Sequence, residues 1–309
     1  MNPRKYKIIV AGLALPILMA GLFFFEQDSV AEKQNNKIKV TASFYPLAYL
    51  ASAVGGDFVT VVNLTPPGAE PHDFEPSPRD IEMLSKTDVF IYNGGNFEPW
   101  IKAWEGGSFS HPPLTVNMIG ALTTKKIELI ESRSATDPHV WLDPRIIAEE
   151  AEILKDTLIA IDPAHEFVYR ENTSRLVEEL NSLDAHYRKV LNTCNIRDMV
   201  VSHEAFAYLA RAYDLSMIPI AGLSPDEEPS PKTLAFISDL AQEKNIKYIF
   251  FEAIANQKLS ETIAREIGAE TLVLNTLESL TVDELRGGED YISIMEQNLN
   301  NLTKALVCQ

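Results

Sequence analysis

Three histidines stand where a metal-binding site would need them. His72 lies just past a predicted strand, His139 lies just before a predicted helix, and His203 directly follows the predicted strand 199–202. Each imidazole is therefore set by the end of a rigid element, as a preorganised site requires. Because neutral imidazole is the most frequent metal ligand in proteins, these positions indicate metal binding.

A fourth ligand would close a tetrahedral site, and Glu278 is the candidate. Its carboxylate lies just beyond the predicted strand 271–275, in a position equivalent to the other strand ends. Three imidazoles and one carboxylate suit Zn²⁺, with ligand bonds of about 2.0–2.2 Å. Because the metal needs neutral imidazoles, its affinity should fall below about pH 6.5.

Less specific interpretations apply to each of these residues alone. A single histidine after a strand is more often a cap or core residue, and a single loop glutamate is more often solvated. Glu252, at the end of the predicted strand 248–251, is either an outer partner of the site or a hinge residue. We interpret the other histidines as surface residues and the tryptophans as packing residues, namely His111, His165 and His186, and Trp100, Trp104 and Trp141.

The elements that must position these side chains alternate between strands and helices. Such alternation predicts parallel sheets covered by helices. It is interrupted once, at 164–191, where a charged segment without proline or glycine repeats its apolar residues at helical spacing. The predicted fold class is therefore α/β, with two α/β lobes joined by one long rigid helix of about 42 Å.

The predicted boundaries are 38–163 for the first lobe, 164–193 for the linking helix and 194–309 for the second lobe. Ligands of parallel sheets bind beyond the carboxyl ends of the strands. The cleft between the lobes is thus the expected site, with His72 and His139 on one side and His203 and Glu278 on the other.

Residues 1–31 have the pattern of a signal peptide or an N-terminal membrane anchor. Three basic residues precede the uncharged apolar run 8–25, and small residues at 29–31 offer a cleavage site. A basic end before an apolar run places the following chain outside the membrane. No cysteine stands directly after the run, which argues against a lipoprotein anchor. We therefore expect an extracytoplasmic protein, in the periplasm or on the outer face of the cytoplasmic membrane.

The net charge and the cysteines further narrow the possible partners and the cellular compartment. The formal net charge of −17 argues against nucleic acid or an anionic membrane face as partner, because both would repel it. Cys194 and Cys308 are the two cysteines of the chain. An oxidising compartment is compatible with a disulfide between them, and two unpaired thiols are the alternative.

Longer motifs around the three histidines carry a resemblance to a known family. From about residue 38 to the C-terminus, the chain resembles the metal-binding solute-binding proteins of bacterial zinc and manganese ABC importers. The motifs are Gly68-x-x-Pro71-His72-Asp73-x-x-Pro76-Ser77, Asp137-Pro138-His139-x-Trp141-Leu142-Asp143-Pro144 and Ser202-His203-x-Ala205-Phe206-x-Tyr208-Leu209, with Asp290-Tyr291 and Asn298-Leu299 resembling the family's last helix.

The resemblance implies a non-enzymatic metal carrier, which we expect to be a monomer. It would deliver its metal to a membrane permease driven by a cytoplasmic ATPase. The first three family ligands fall on His72, His139 and His203. The fourth is usually aspartate, and the matching position here holds Glu278, which keeps the oxygen donor on a longer arm. Cysteines at matching positions in some relatives favour the pair Cys194–Cys308.

Zinc is the favoured cargo and Mn²⁺ the alternative. Histidine at the third position resembles zinc members, whereas many manganese members have glutamate there. Many zinc members also carry a histidine-rich loop, which is missing between residues 115 and 136. A zinc hydrolase would need an open coordination position with a general base such as Glu70 or Glu204 nearby. A surface adhesin is a further alternative, because the family was once named for that role.

Overall fold

Two four-stranded parallel sheets form the framework of the protein. The computed structural model describes residues 37–107, 112–132, 135–225, 230–244, 246–252, 254, 261–262, 264–266 and 268–309. Their strands are β1 (Ile38–Ala42), β2 (Val59–Asn63), β3 (Val89–Tyr92), β4 (Leu114–Asn117), β7 (Asp198–Val201), β8 (Ser216–Pro219), β9 (Tyr248–Phe251) and β10 (Glu270–Val273). The first sheet has the order β2-β1-β3-β4 and the second the order β10-β9-β7-β8.

A short antiparallel pair, β5 (Glu131–Ser132) and β6 (Ala135–Thr136), lies between the two sheets in sequence. The helices are α1 (Tyr45–Gly55), α2 (Pro78–Leu84), α3 (Ile101–Glu105), α4 (Met118–Thr124), α5 (Pro144–Ile161), α6 (Glu166–Leu191), α7 (Ala207–Ala212), α8 (Pro231–Glu243), α9 (Val282–Gly287) and α10 (Tyr291–Ala305). The predicted fold class is confirmed, whereas the predicted lobe boundaries stay a prediction.

The long helix α6 packs against helices from both lobes. Its buried face follows helical spacing and contacts α1, α5 and α10. The phenol of Tyr187 donates to the carbonyl of Met295 on α10 at 2.5 Å. Residues 163–165 form a 3-10 turn, so α6 begins at Glu166 rather than at 164 as predicted. Such tighter turns are frequent at helix ends.

Other predictions made for single residues have mixed outcomes. The tryptophans Trp100, Trp104 and Trp141 are buried, which confirms packing roles. The side chains of His165 and His186 are 40% and 49% exposed, as expected for surface residues. His111, also predicted to be a surface residue, lies outside the described residues.

The part of the chain that the structure describes contains no helix with the length and apolar character needed to cross a bilayer. Residues 1–31, on which the predicted signal peptide or anchor falls, lie outside it.

A buried carboxyl group in α5 is expected to make the stability depend on pH. Glu150 is fully buried, and within the described chain neither carboxylate oxygen has a hydrogen-bond partner. Burial raises its pKa to about 8. The pKa of Glu150 is higher in the folded than in the unfolded protein. Its contribution to the free energy of unfolding is therefore fully present below about pH 4.5 and is lost as the pH rises through about 8. A shift of this size corresponds to roughly 5 kcal/mol.

We expect Glu150→Gln to gain stability over the wild type as the pH rises from 5 to 8. Urea unfolding at several pH values measures this difference in free energy. The neighbouring Glu149→Gln is the matched control, because that side chain is 43% exposed and pairs with Lys125 at 2.9 Å. Parallel pH profiles for Glu150→Gln and the wild type would show that Glu150 is not held neutral.

A disulfide ties the C-terminus to the segment that follows the long helix. Cys194 and Cys308 are bonded and are separated by 114 residues in sequence, as the resemblance implied. Removing a disulfide of this kind typically costs about 2–5 kcal/mol. We expect the variant Cys194→Ser/Cys308→Ser to lose free energy of unfolding in this range. A wild type whose unfolding midpoint does not respond to a reductant, or a double variant that does, would contradict the assignment.

Candidate metal centre

His72 is held by a short turn after the second strand of the first sheet. Glu70 caps the 3-10 turn Pro71–Asp73, and its carboxylate accepts a hydrogen bond from the backbone nitrogen of His72 at 3.1 Å. The ring of Phe97 meets the imidazole edge-on, with ring centroids 4.5 Å apart. The His72 side chain is 11% exposed, whereas the other three candidate ligands are fully buried. The candidate site therefore reaches solvent on the His72 side.

His139 is oriented by the aspartate two residues before it. The Asp137 Oδ1 atom accepts from both the backbone nitrogen and the ring Nδ1 of His139, at 2.9 and 2.8 Å. This contact leaves Nε2 to face the centre of the cluster. Carboxylate–imidazole contacts of this kind fix the ring and its tautomer in metal sites.

His203 has an equivalent carboxylate on the next strand of the second sheet. Glu252 follows β9, and its Oε1 lies 2.5 Å from Nδ1 of His203 and also accepts a hydrogen bond from the hydroxyl of Ser202. Since β7 and β9 are adjacent parallel strands, their carboxyl ends bring these residues together. Glu252 is thus an outer partner of His203, one of the two interpretations that the sequence left open.

Glu278 is positioned by a segment that several hydrogen bonds hold in place, rather than by the end of a strand. β10 ends at Val273, five residues earlier, so the predicted strand 271–275 was too long. Asn275 and Asn298 exchange two hydrogen bonds of 2.8 Å, and the Asn275 side chain accepts from the nitrogen of Leu277 at 2.7 Å. Leu277 has a φ of 60°, a left-handed conformation that costs a side-chain-bearing residue about 1–2 kcal/mol.

The segment of Glu278 is also tied to the first lobe. The Trp141 indole donates to the carbonyl of Thr276 at 2.7 Å. The backbone nitrogen of Gly68 donates to the Ser279 hydroxyl and to the Leu280 carbonyl, both at 2.9 Å. The loops that carry His72 and Glu278 are therefore hydrogen-bonded to each other across the cleft.

The four predicted residues meet at one point between the lobes. One donor atom from each of His72, His139, His203 and Glu278 lies within 4.8 Å of all the others. The Glu278 Oε1 atom is 3.8, 3.4 and 3.6 Å from Nε2 of the three histidines in that order, and His72 Nε2 is 3.3 Å from His139 Nε2. A tetrahedral ion with bonds of about 2.0–2.2 Å needs edges of about 3.3–3.6 Å. Three of these distances match those edges, and the longest exceeds them slightly.

Within the described chain, several buried polar atoms at this point have no hydrogen-bond partner. They include Nε2 of His203 and both carboxylate oxygens of Glu278. Leaving buried polar groups unpaired is costly, so their convergence indicates that a cation belongs there. The donor chemistry fits a borderline-soft divalent ion.

The electrostatics of the four side chains reflect this convergence. Burial tends to raise the pKa of Glu278, but the surrounding His139, His203 and His72 hold it well below its usual value. For His139, burial is outweighed by Asp137 and Glu278, and the pKa is raised. For His203, burial tends to lower the pKa, but the charge and hydrogen bond of Glu252 together with Glu278 raise it well above its usual value. Burial lowers the pKa of His72.

A further carboxyl group lies beside the cluster. Burial and the charge of Glu278 raise the pKa of half-buried Glu70 to about 9. The sequence had singled out Glu70 as a candidate base, but did not indicate its backbone contact to His72. It also did not indicate the role of Asp137, although the spacing Asp-Pro-His was a usable signal.

Two α/β lobes around one long helix, with buried donors converging between them, define a solute-binding protein. A family model described as zinc-uptake complex component A, periplasmic (ZnuA), matches residues 40–305. The chain therefore belongs to the ZnuA family of metal-transport proteins.

Known relatives resemble the chain over nearly all of its length. The high-affinity zinc uptake system protein ZnuA of Bacillus subtilis is 36% identical over 98% of both chains. The zinc-binding lipoprotein AdcA of Streptococcus pneumoniae is 32% identical over 97% of this chain, which spans 60% of that protein.

Solved structures show the same fold. The metal-dependent lipoprotein YcdH of Bacillus subtilis has a TM-score of 0.77 at 38% identity, covering 87% of this chain and 100% of that one. The Zn(II)-bound ZnuA-like domain of Streptococcus pneumoniae AdcA has a TM-score of 0.77 at 35% identity, covering 88% and 99%. The laminin-binding protein of Streptococcus agalactiae, a bifunctional protein with adhesin and metal-transporting activity, has a TM-score of 0.80 at 30% identity, covering 88% of this chain and 100% of that one.

Proposed function

We propose that this chain captures Zn²⁺ outside the cytoplasmic membrane and delivers it to the permease of an ABC importer with a cytoplasmic ATPase. Its ligands are His72, His139, His203 and Glu278. The observation that carries the proposal is the convergence of these four donors to within 4.8 Å in the interlobe cleft. Membership of a zinc-uptake family and a relative named for zinc uptake support it. The chain acts as a monomer.

Zinc is favoured over manganese because of the donor set. Three imidazole nitrogens and one carboxylate suit Zn²⁺, whereas Mn²⁺ prefers oxygen ligands and a higher coordination number. The solved relative in its Zn(II)-bound form supports the same choice. The missing histidine-rich loop does not remove any of the four donors.

Capture rather than hydrolysis follows from the fourth ligand. A catalytic zinc keeps one position open for water. Here Glu278 Oε1 lies 3.4–3.8 Å from all three histidines and takes the place that such a water would occupy. The family is a transport class, which agrees with a carrier.

An adhesin role is the second candidate function. It is favoured by the likeness to the laminin-binding protein of Streptococcus agalactiae. Immobilised laminin tests it directly, with the zinc-loaded and the metal-stripped chain compared. Saturable binding would add this role to transport, and no binding would leave transport alone.

The transport proposal is tested with the metal-stripped chain and with a strain that lacks it. Titration of Zn²⁺ against Mn²⁺ should show zinc displacing manganese. Sites with nitrogen and oxygen ligands bind zinc more tightly than manganese in vitro, whichever metal is the physiological cargo. Growth of the deletion strain is therefore the measurement that identifies the cargo. The strain should fail under zinc limitation and recover with added zinc or the intact gene. Recovery with manganese alone would contradict zinc as the cargo, and a chain that binds neither metal would contradict the proposal as a whole.

A further inference from the structure

The loop that follows β3 has an unusual backbone. Gly94, Gly95 and Asn96 have φ values of 84°, 65° and 66°, so three consecutive residues are left-handed. Only glycine adopts this region without cost, and asparagine tolerates it better than most residues. A loop of this shape persists only where its surroundings hold it.

A buried carboxylate holds this loop. Glu98 is 5% exposed, and its Oε1 accepts from the backbone nitrogen of Asn93 at 2.8 Å and from the hydroxyl of Ser43 at 2.6 Å. Its Oε2 accepts from the backbone nitrogen of Gly94 at 3.0 Å. Both oxygens are therefore used, and both fix the start of the left-handed run.

The loop touches the segment that carries His139. The fully buried Asn93 donates from Nδ2 to the carbonyl of Pro138 at 2.9 Å. A Cβ on Gly95 would lie 3.8 Å from the Cα of Pro138 and 2.7 Å from the Ile119 side chain. The loop backbone is thus packed closely against the residue that precedes His139.

The same loop also touches His72. Phe97 is 1% exposed and lies beside both imidazoles of the first lobe. Its ring centroid is 4.5 Å from that of His72 and 6.3 Å from that of His139, both nearly perpendicular. None of the described contacts of this loop reaches His203, which Glu252 orients.

We propose that Glu98 is a positioning residue for the metal site. It shapes the loop 93–98, which sets His139 through the Asn93–Pro138 hydrogen bond and His72 through the ring of Phe97. Glu98 contacts no candidate ligand itself. The inference rests on the proposed metal-binding function, because it concerns how two of the four ligands are held.

The test uses two variants of the full chain and one control. In Glu98→Gln one of the two accepting oxygens is replaced by an NH2 group, which cannot accept a hydrogen bond. Asn93→Ala removes only the side-chain bond to Pro138. Thr87→Ala is the control: it removes a buried hydroxyl just before the start of β3, at the end opposite to the loop 93–98, where it bonds to Thr41 and to the carbonyl of Lys39 at 2.8 Å. Each variant is measured in two ways, by imidazole NMR of the metal-free protein and by chelator competition for Zn²⁺.

We expect the resonances of His139 to shift in both variants and those of His72 to shift in Glu98→Gln, with His203 unchanged. Zinc affinity should fall about 10- to 100-fold, the usual loss when a partner outside the ligand sphere is removed. The control should show neither effect.

Unshifted imidazoles with wild-type zinc affinity would overturn the proposal, as would equal shifts of all three histidines, which indicate only general loosening. A wild type that binds no zinc would refute the proposed function instead. The metal-free spectra would still decide the role of Glu98.

Discussion

Replacing His139 by alanine is expected to lower zinc affinity more than about a hundredfold while the fold persists. Loss of a partner outside the ligand sphere already costs about 10- to 100-fold, so loss of a ligand should exceed that range. The imidazole is fully buried between Asp137 and Glu278, and a water bound in its place would donate more weakly to the metal. Isothermal titration with chelator competition measures the affinity, and circular dichroism reports the fold.

The matched control is His186→Ala. That histidine lies on α6, is 49% exposed and pairs with Glu296 at 3.1 Å, away from the cluster. It should bind zinc like the wild type. Equal affinities for His139→Ala and His186→Ala would show that His139 is not a ligand.

The second large effect is expected for Glu278→Gln, which removes one negative charge and little volume. The carboxylate faces three imidazoles in a fully buried setting. Since loss of a partner outside the ligand sphere already costs about 10- to 100-fold in metal affinity, loss of the one charged ligand should cost about a hundredfold or more. Chelator competition for Zn²⁺ measures it.

The comparison with Glu278→Asp separates charge from reach. Aspartate keeps the charge on a shorter arm, and we expect it to bind zinc more tightly than the glutamine variant does. Wild-type affinity in Glu278→Gln would exclude this carboxylate as a ligand. Similar losses in both variants would indicate that the length of the arm, rather than the charge, is what matters.

The candidate site was predictable because its residues follow local rules. His203 and Glu252 follow predicted strands, and parallel strands bring their carboxyl ends to one edge. Helix starts also depend on local contacts: the Ser77 side chain accepts from the backbone nitrogen of Asp80 before α2, and the Asp143 side chain accepts from that of Arg145 before α5. The alternation of strands and helices was sufficient to predict both sheets.

Other features depend on contacts that local patterns do not carry. α9 buries none of its six residues, so it has no amphipathic signal. β4 is short, and only one of its four residues is buried. The bond from Asn93 to Pro138 joins residues 45 apart in sequence, and the left-handed Leu277 is held by Asn275 and by packing. The strand β4, the Asn93–Pro138 bond and the conformation of Leu277 could not be inferred from spacing alone.

The most direct test of metal capture is a crystal structure of the zinc-loaded chain with anomalous diffraction at the zinc edge. One strong peak should lie in the cleft, about 2.0–2.2 Å from Nε2 of His72, His139 and His203 and from a carboxylate oxygen of Glu278. A peak bound by other side chains, or a loaded protein with no peak between the four donors, would contradict the proposed site.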